Sequence, residues 1–360
     1  MKNLFNKLTQ QFQQGIPFVI YNKPNSKKII GIFQENKELY FVKNYEEKGF
    51  VFAPFNGNKS VLIPENHSTI IVADFEEDHF NKQNSIFKEH ESDAKNKFEA
   101  VVKKGIGAIN NGNFKKVVLS RKESVELSNF DLVSVFEKML NEYKSAFTYC
   151  FYHPEIGLWL GAFSEQLIKI QDGIIHTMAL AGTQTFQENE TIIWQNKEKE
   201  EQQFVTDFII DELKNCISTF SISEPYTLKA GNVFHIKTDI KGTINKNVSL
   251  AEIINILHPT PAVCGFPKKD AKDFILKNEG YDREYYSGFL GEINKDFATL
   301  EKATDLFVNL RCMKIEQNLK TKNTKAHLYI GCGITKDSKP EKEWLETVNK
   351  SLTIKKCLEY

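Results

Sequence analysis

Residues 167–180, LIKIQDGIIHTMAL, contain two apolar segments on either side of Asp172-Gly173. An Asp-Gly pair between two such segments is a strong local signal for a β-hairpin, because both turn residues of the favoured turn need positive φ. The stretch therefore predicts two adjacent antiparallel strands. It favours sheets built from hairpins over the parallel sheet of a doubly wound fold, in which helices connect successive strands.

The sequence on both sides of this hairpin predicts an irregular mixture of strands and helices. Residues 1–90 hold short apolar runs separated by Asn, Gly and Pro, which predict antiparallel strands. Helices are expected from about Ser92–Asp93 and Asp131, and at about 196–216, 249–256, 269–277 and 341–353. Further strands are expected at about 115–127, 304–313 and 325–330. Because strands and helices do not alternate regularly, the fold class is α+β with large antiparallel sheets.

Composition limits the class of protein. The chain has 360 residues, 47 basic and 47 acidic side chains and 41% hydrophobic residues, so it can bury a large core. The balanced charge argues against a nucleic-acid-binding protein, and no apolar run approaches the ~20 residues of a membrane span. The start, MKNLFNKLTQQFQQG, lacks the apolar segment of a secretory signal. Six scattered cysteines without a C-x-x-C pair predict reduced thiols and a cytoplasmic location.

Arginine is rare in this chain. Only Arg121, Arg283 and Arg311 occur among the 47 basic residues. Lysine is therefore the default cation, and each arginine is a candidate for a position that needs a planar, two-pronged donor for a carboxylate or phosphate. The alternative for each is a buried structural ion pair. Composition alone leaves the two alternatives equally open.

The helix at about 196–216 carries carboxylates on its apolar stripe. At about 100° per residue, six side chains fall within one arc of roughly 100°, namely Glu198, Glu201, Val205, Phe208, Ile209 and Glu212. A buried acid needs a partner, a proton or a metal. A frayed helix start with wet glutamates explains the same spacing, and the spacing alone favours that alternative.

The last helix places Glu343, Glu346 and Lys350 on one face. A solvated face with an ordinary i,i+4 pair between Glu346 and Lys350 accounts for them. The functional alternative combines the two acidic helices, with Glu201 and Glu346 holding one hard cation. Mg²⁺ commonly takes one or two protein carboxylates, and water or substrate oxygens complete its octahedron.

Two loops are weaker candidates. The glycines of GCGI, residues 331–334, allow a backbone to approach a ligand closely, although a strand-to-helix turn also explains them. HPTP, residues 258–261, is a rigid loop, and a histidine such as His258 is more often hydrogen-bonded in its loop than catalytic.

Several motifs occur in an order that resembles the chorismate-utilising enzymes, and most closely their isochorismate synthase branch. The resemblance covers about residues 95–355 and rests on KVVLSR (116–121), GAFSEQL (161–167), LAGTQ (180–184), KEKEEQQFV (197–205), LHPTPAVCGFP (257–267), YDREYYSGFLG (281–291), LRC (310–312), YIGCGI (329–334) and EWLETVNK (343–350). It implies one structural unit, a four-layer α/β/β/α sandwich, with a β-rich N-terminal part at 1–94 and a chorismate-binding catalytic region at 95–360.

The resemblance also implies roles for individual residues. Lys116 matches the general base, while Lys115 points to the other face of its strand. Glu165 matches the general acid, although Phe163-Ser164 replaces the family's Ser-Pro just before it. The implied magnesium ligands are Glu201 and Glu346, with Glu198 and Glu343 one helical turn before each. The implied substrate-binding residues are Gly182, Thr183, Ala262, Arg311, Gly331 and Lys350. His258 of the HPTP loop is a further candidate for substrate binding.

The implied reaction is the Mg²⁺-dependent isomerisation of chorismate to isochorismate. Lys116 removes a proton from a water molecule that attacks C2, and Glu165 protonates the C4 hydroxyl as it leaves. For that, the pKa of Glu165 must be raised. Arg311 takes the enolpyruvyl carboxylate, and Mg²⁺ clamps the ring carboxylate. We expect a cytoplasmic monomer that binds neither nucleic acid nor membrane. Isochorismate feeds both menaquinone and siderophore synthesis.

Related activities are partly separated by the motifs. Anthranilate and aminodeoxychorismate synthases usually carry glutamine where this chain has Lys116, and the latter carry a nucleophilic lysine where it has Ala181. Salicylate synthases share the lysine base and go on to eliminate pyruvate, so they are the leading alternative. A non-catalytic paralogue would lack at least one of the implied catalytic or metal-binding residues, all of which are present.

Overall fold

The computed structural model describes residues 1–75, 92–185, 192–230, 233–317 and 323–358. Within these ranges the chain forms seven α-helices: α1 Lys2–Gln14, α2 Ser92–Asn110, α3 Leu132–Glu142, α4 Asn196–Leu213, α5 Leu250–Leu257, α6 Lys268–Asn278 and α7 Pro340–Lys355. The same ranges contain the strands β1 Phe18–Asn22, β2 Lys28–Gln34, β3 Tyr40–Phe41, β4 Gly49–Ala53, β5 Val61–Pro64, β6 Ser68–Asp74, β7 Lys116–Leu127, β8 Phe147–His153, β9 Gly157–Phe163, β10 Gln166–Gln171, β11 Ile174–Thr185, β12 Ile217–Ile222, β13 Tyr226–Ala230, β14 Val233–Ile244, β15 Gly265–Phe266, β16 Phe289–Ile293, β17 Ala303–Val308, β18 Cys312–Gln317 and β19 Thr324–Ile334.

The described strands form two large antiparallel sheets. The first has the order β15-β7-β19-β18-β9-β8-β1-β2-β6, and the second has the order β12-β14-β11-β10-β17-β16-β4-β5-β3 with β13 paired to β14. The predicted hairpin is confirmed, since β10 and β11 pair up to Gln171 and Ile174. Asp172 and Gly173 have φ of 52° and 73°, as the tight turn requires. Strands from the first 75 residues take part in both sheets.

The two sheets pack face to face around an aromatic core. Phe52 of the second sheet stacks on Phe151 of the first with ring centroids 4.4 Å apart, and Phe147 stacks on Phe307 at 4.5 Å. Burying each such side chain stabilises the fold by roughly 1.5–3 kcal/mol. Apolar faces of α1 and α3 cover the first sheet, and those of α4 and α5 cover the second. The result is a four-layer α/β/β/α sandwich, in agreement with the predicted fold class.

The helices α2, α6 and α7 complete the end of the sandwich that holds β7 and β19. Val102 of α2, Ile275 of α6 and Trp344 of α7 belong to one apolar cluster with residues of these two strands. Packing of α7 on β19 fixes the direction in which its acidic face points. The position of α4 is fixed separately, by the packing of apolar residues in its middle and last turns on the second sheet.

Two predictions near β19 were wrong in detail. The strand expected at about 304–313 is two strands, because Arg311 has a φ of 43° and the chain turns there between β17 and β18. Residues 331–333, expected as a loop, lie inside β19, where they pair with β7. The glycines therefore bring two strands and their neighbours close together instead of forming a turn.

Two further observations bear on the class of protein. No helix among the described residues is long and apolar enough to cross a membrane. All six cysteines are free thiols and are buried.

Candidate active site

One cavity of about 310 Å³ lies where α4 and α7 approach the ends of β7, β11 and β19. Its size is within the range of sites for small organic ligands. The charged residues that line it are six acids, Glu142, Glu165, Glu198, Glu201, Glu343 and Glu346, and four bases, Lys116, Arg311, Lys350 and Lys356. The cavity therefore collects both acidic helices and both predicted acid–base residues in one place.

Lys116 begins β7 and points into the cavity. Its side chain is buried, and its Nζ lies 2.6 Å from Oε1 of Glu201. Gly333 of the adjacent β19 makes this possible, because a Cβ there would lie 3.3 Å from Cε of Lys116. Lys115 faces the opposite way, with its Nζ about 6.0 Å from the ring of Phe204. The strand alternation predicted for this lysine pair is therefore observed.

Glu165 follows β9 and is held by its backbone, whose carbonyl accepts a hydrogen bond of 2.9 Å from the amide of Val308. Burial raises the pKa of Glu165 to about 7, and the nearby cations Lys116, Lys350 and Arg311 limit the rise. Near neutral pH a large fraction of this carboxyl is therefore protonated, as a general acid requires. The Phe163-Ser164 sequence before it does not keep Glu165 out of the cavity.

The two glutamates at the start of α4 differ in their partners. Oε2 of Glu198 accepts a hydrogen bond of 3.0 Å from the backbone amide of Gln195 and so caps its own helix. Glu201, one turn later, reaches Lys116. The helix start is ordered by this capping box and by the ion pair, in contrast to the frayed alternative.

The glutamates of α7 also point into the cavity. Glu343 is buried, with 7% of its surface exposed. Oε1 of Glu346 lies 2.6 Å from Nζ of Lys350, which also donates a hydrogen bond of 3.0 Å to the carbonyl of Gly331. Burial lowers the pKa of Lys350, but Glu346 opposes this and the net pKa is raised. The i,i+4 pair predicted for this helix is present, and it faces the cavity.

The donor groups around the cavity fit a hard divalent cation. Four carboxylates from two helices line one space, and carboxylate oxygens are the ligands that Mg²⁺ prefers. Within the described ranges, no group of three or more His, Cys, Asp or Glu side chains is arranged to hold a metal ion without other ligands. A cation here would therefore take one or two carboxylates together with water or substrate oxygens. The excess of acids over bases also favours a cation.

The guanidinium of Arg311, a cation that lines the cavity, has no hydrogen-bond or ion-pair partner among the described residues. It lies between β17 and β18, and its backbone carbonyl accepts a 3.4 Å hydrogen bond from the amide of Ala162. No residue that the structure describes accepts a hydrogen bond from its guanidinium, and burial lowers its pKa. An arginine side chain that is half-buried and lines a cavity is suited to bind an anion there.

The other predicted substrate-binding residues divide into three groups. Gly182, Ala262 and Gly331 line the cavity. Thr183 lies in β11, but its side chain is outside the part of the chain that the structure describes. His258 is not brought to the cavity. Its Nε2 lies 3.3 Å from the carbonyl of Pro54, and burial lowers its pKa to about 3.

His235 and Tyr286 are among the cavity residues that were not predicted from the sequence. His235 of β14 lines the cavity, with Nδ1 3.1 Å from the carbonyl of Gly182. Burial, then Arg311 and Lys350, lower its pKa to about 4, so it is neutral at pH 7. Tyr286 also lines the cavity. No local spacing distinguishes either residue from ordinary strand and loop residues.

The three arginines separate into the two alternatives that composition left open. Arg121 is buried, with Nη1 2.8 Å from Oε2 of Glu123. Arg283 is also buried, with Nη2 2.5 Å from Oε1 of Glu279. Both therefore belong to internal ion pairs, whereas Arg311 lines the cavity.

Comparisons with known proteins identify relatives of this chain. The chain is 28% identical over 270 residues to "Salicylate biosynthesis isochorismate synthase" of Pseudomonas aeruginosa, which covers 72% of this chain and 54% of that protein. It is 31% identical over 209 residues to "Isochorismate synthase MenF" of Escherichia coli, which covers 56% of this chain and 46% of that protein. The chain thus spans about half the length of these curated relatives.

The fold has a solved counterpart. The structure of MenF, the menaquinone-specific isochorismate synthase from Escherichia coli, superposes with a TM-score of 0.79 at 20% identity, over 96% of this chain and 89% of that chain. This likeness confirms the predicted fold. The model of the family described as "Chorismate binding enzyme" matches residues 58–359. The match spans most of the sequence, and the chain belongs to the chorismate binding enzyme family.

Proposed function

We propose that this protein is an isochorismate synthase, which converts chorismate to isochorismate with Mg²⁺ as cofactor. The observation that carries the proposal is that Lys116 and Glu165 line the same cavity. Glu165 has a pKa of about 7 and can therefore hold a proton. The named relatives, which are isochorismate synthases, support the same reaction.

The base in this reaction is Lys116. It takes one proton from the water molecule that attacks C2 of chorismate, and the remaining hydroxyl forms the new C–O bond. A lysine must be neutral and must face the water molecule to do this, whereas Nζ of Lys116 lies 2.6 Å from Oε1 of Glu201. The proposal therefore requires that the contact between Glu201 and Lys116 is broken in the reactive complex.

The acid is Glu165. It delivers one proton to the C4 hydroxyl, which leaves as water while the ring double bonds shift. One water molecule enters and one leaves, so the reaction is an isomerisation and needs no oxidant or reductant. Return of one proton from Lys116 to Glu165, directly or through solvent, restores the starting state.

The two carboxylates of the substrate need two cationic positions. Arg311, whose guanidinium has no described partner, is the proposed position for the enolpyruvyl carboxylate. The ring carboxylate is proposed to lie near the acidic faces of α4 and α7. Neutral His235 offers a further polar contact without adding charge.

The residues proposed to hold Mg²⁺ are Glu201 and Glu346, with Glu198 and Glu343 beside them. When bound, the cation would neutralise the ring carboxylate and withdraw electron density from the diene. The helix-capping contact of Glu198 and the buried position of Glu343 suit these two residues to orient the site or to bind through water. A reducing cytoplasm is part of the proposal and is consistent with six free thiols.

Product analysis tests the proposal. Purified protein is incubated with chorismate and Mg²⁺, and the products are separated and identified. Isochorismate as the only product supports it, and salicylate with pyruvate would assign the chain to the salicylate synthases instead. No conversion under these conditions, with the fold confirmed by circular dichroism, would refute the enzymatic function.

A further inference from the structure

A second, much smaller cavity of about 10 Å³ lies next to Glu165. Glu165, Leu180 and Ala262 line both cavities, so these residues form the wall between them. The other residues around the small cavity are Gln166, Leu167, Thr177, Met178, Val205, Ile209, Thr260 and Val308. Most of them are apolar, and the polar side chains are therefore the ones that could hold a ligand.

Thr260 contributes a polar atom with no partner. Only 8% of its surface is exposed, and its buried Oγ1 makes no hydrogen bond within the part of the chain that the structure describes. Its backbone is fixed, because its carbonyl accepts hydrogen bonds of 3.1 and 3.0 Å from the amides of Val263 and Cys264. A buried hydroxyl without a partner loses its hydration without compensation, and this points to a missing ligand.

The cavity has the size and the polar groups for one water molecule. A volume near 10 Å³ is about what a single water needs, together with two to four polar partners. Oγ1 of Thr177 donates a 2.7 Å hydrogen bond to the carbonyl of Leu167, which leaves its lone pairs able to accept. Thr260, Thr177 and Glu165 therefore supply three partners.

We propose that one water molecule occupies this small cavity and that Thr260 positions the Glu165 carboxyl through it. The water accepts a hydrogen bond from Oγ1 of Thr260 and donates to Oγ1 of Thr177 and to a carboxyl oxygen of Glu165. The proposal deepens the proposed function, because the catalytic role of Glu165 rests on it.

The water would matter most after proton transfer. Once Glu165 has given up its proton, a half-buried carboxylate remains, and a donated hydrogen bond stabilises that charged form. On the side of the large cavity Glu165 is influenced by Lys116, Lys350 and Arg311. Among the described residues that line the small cavity, Glu165 is the only ionisable one. The proposed water therefore supplies the hydrogen bond to Glu165 on that side.

The test compares Thr260→Val with Thr260→Ser. Crystal structures of both variants and of the wild type are determined at a resolution that shows buried water. The wild type and Thr260→Ser are expected to contain the water, and Thr260→Val is expected to lack it. This readout does not depend on activity. A small cavity without water in the wild type would overturn the proposal even if chorismate is converted.

The second readout is the pH profile of kcat for chorismate conversion. Loss of the donor in Thr260→Val should raise the pKa of Glu165 and move the alkaline limb upward by about 0.5–1 in pH, the equivalent of one hydrogen bond. Thr260→Ser should keep the wild-type limb. Thr148→Val is the matched control, because Oγ1 of Thr148 is also buried without a described partner but lies on β8 outside both cavities.

The outcomes separate the two proposals. A water in the wild type with an unchanged limb in Thr260→Val would refute the positioning role. If the alkaline limb of the kcat profile moves by the same amount in Thr148→Val, the effect belongs to buried threonines in general, and the positioning role of Thr260 is refuted as well. Failure of every variant and of the wild type to convert chorismate would refute the proposed function, while the crystallographic result would still decide whether the water is present.

Discussion

Arg311→Lys should impair chorismate use while leaving the fold intact. Lysine keeps the positive charge but loses the planar pair of donors that can bind a carboxylate with two parallel hydrogen bonds. A charged hydrogen bond contributes about 1.5–3 kcal/mol, so kcat/KM should fall by about 10- to 150-fold. The guanidinium has no partner among the described residues, so the substitution breaks no internal ion pair. The melting temperature should therefore change little.

The same substitution at Arg121 provides the control. Arg121 is buried, donates a 2.8 Å hydrogen bond to Oγ1 of Thr347, and is paired with Glu123. Replacing it with lysine disturbs a buried network, which commonly costs a few kcal/mol of stability. Arg121→Lys should thus lower the melting temperature by several degrees.

The assay measures kcat/KM and the melting temperature on each variant. The reasoning would be refuted if Arg311→Lys melted well below the wild type and the surviving folded protein had nearly normal kinetics. That result would assign Arg311 to the scaffold. Equal losses of stability in the two variants would contradict the division between a cavity arginine and an internal one.

The remaining predictions concern the acid, the base and the cation. Lys116→Gln should reduce turnover by about 10²–10⁴-fold. Lys115→Gln should have little effect, because the Lys115 side chain lies over the ring of Phe204 instead. Equal small effects of the two substitutions in steady-state kinetics would refute the choice of base. EDTA should abolish turnover and Mg²⁺ should restore it, and Glu201→Gln or Glu346→Gln should raise the Mg²⁺ concentration needed for half-maximal rate; full activity of the chelated protein would contradict this. The pKa of Glu165 is raised to about 7 in the folded protein, so stability should fall as pH rises from about 4.5 to 7, where the unfolded chain has already lost this proton. Above pH 7 Glu165→Gln should therefore be more stable than the wild type by up to about 3 kcal/mol in urea denaturation. If the difference in unfolding free energy between variant and wild type is the same at pH 5 and pH 8, the raised pKa of Glu165 is refuted.

Local sequence signals predicted most of the secondary structure. The Asp-Gly pair at 172–173 located a hairpin of the second sheet, because the positive φ of both residues is a local property. The helix α1 was missed, although Leu4, Phe5 and Leu8 repeat with helical spacing and Gly15 has the left-handed conformation of a helix end. Because short apolar runs follow it, the whole segment 1–90 was predicted to form strands.

Features that depend on distant neighbours were less accessible. The break at Arg311 needs a positive φ in a residue other than glycine, and no local pattern indicates that. The glycines at 331 and 333 look like a loop in sequence, but the close approach of β7 and α4 explains them. A Cβ at Gly331 would lie 3.1 Å from the carbonyl oxygen of Leu119 in β7, and one at Gly333 would lie 3.4 Å from Oε1 of Glu201 in α4.

The candidate site was predicted through the order of its motifs. Spacing alone placed Glu201 and Glu346 on separate helices but could not bring the helices together. The resemblance to a known family did so, and the structure places both in one cavity. The candidate His258 lies outside the cavity, where its ring contacts the carbonyl of Pro54, whereas Ala262, just after the HPTP loop, lines the cavity. His235 lines the cavity from a strand with no distinctive motif.

The pairing of charges explains how so many ionisable groups share one cavity. Each helix contributes a carboxylate that is held by a lysine, with Glu201 beside Lys116 and Glu346 beside Lys350. Both lysines are proposed to act on substrate and both carboxylates on the cation, so each pair must separate before either member can work. Chorismate brings two negative charges to a cavity that already has more acids than bases. Binding of the substrate alone would therefore be opposed by electrostatic repulsion. A divalent cation would neutralise the negative charge of the glutamates that have separated from their lysines, and also that of the incoming carboxylate. Substrate affinity should accordingly depend on the cation rather than on Arg311 alone.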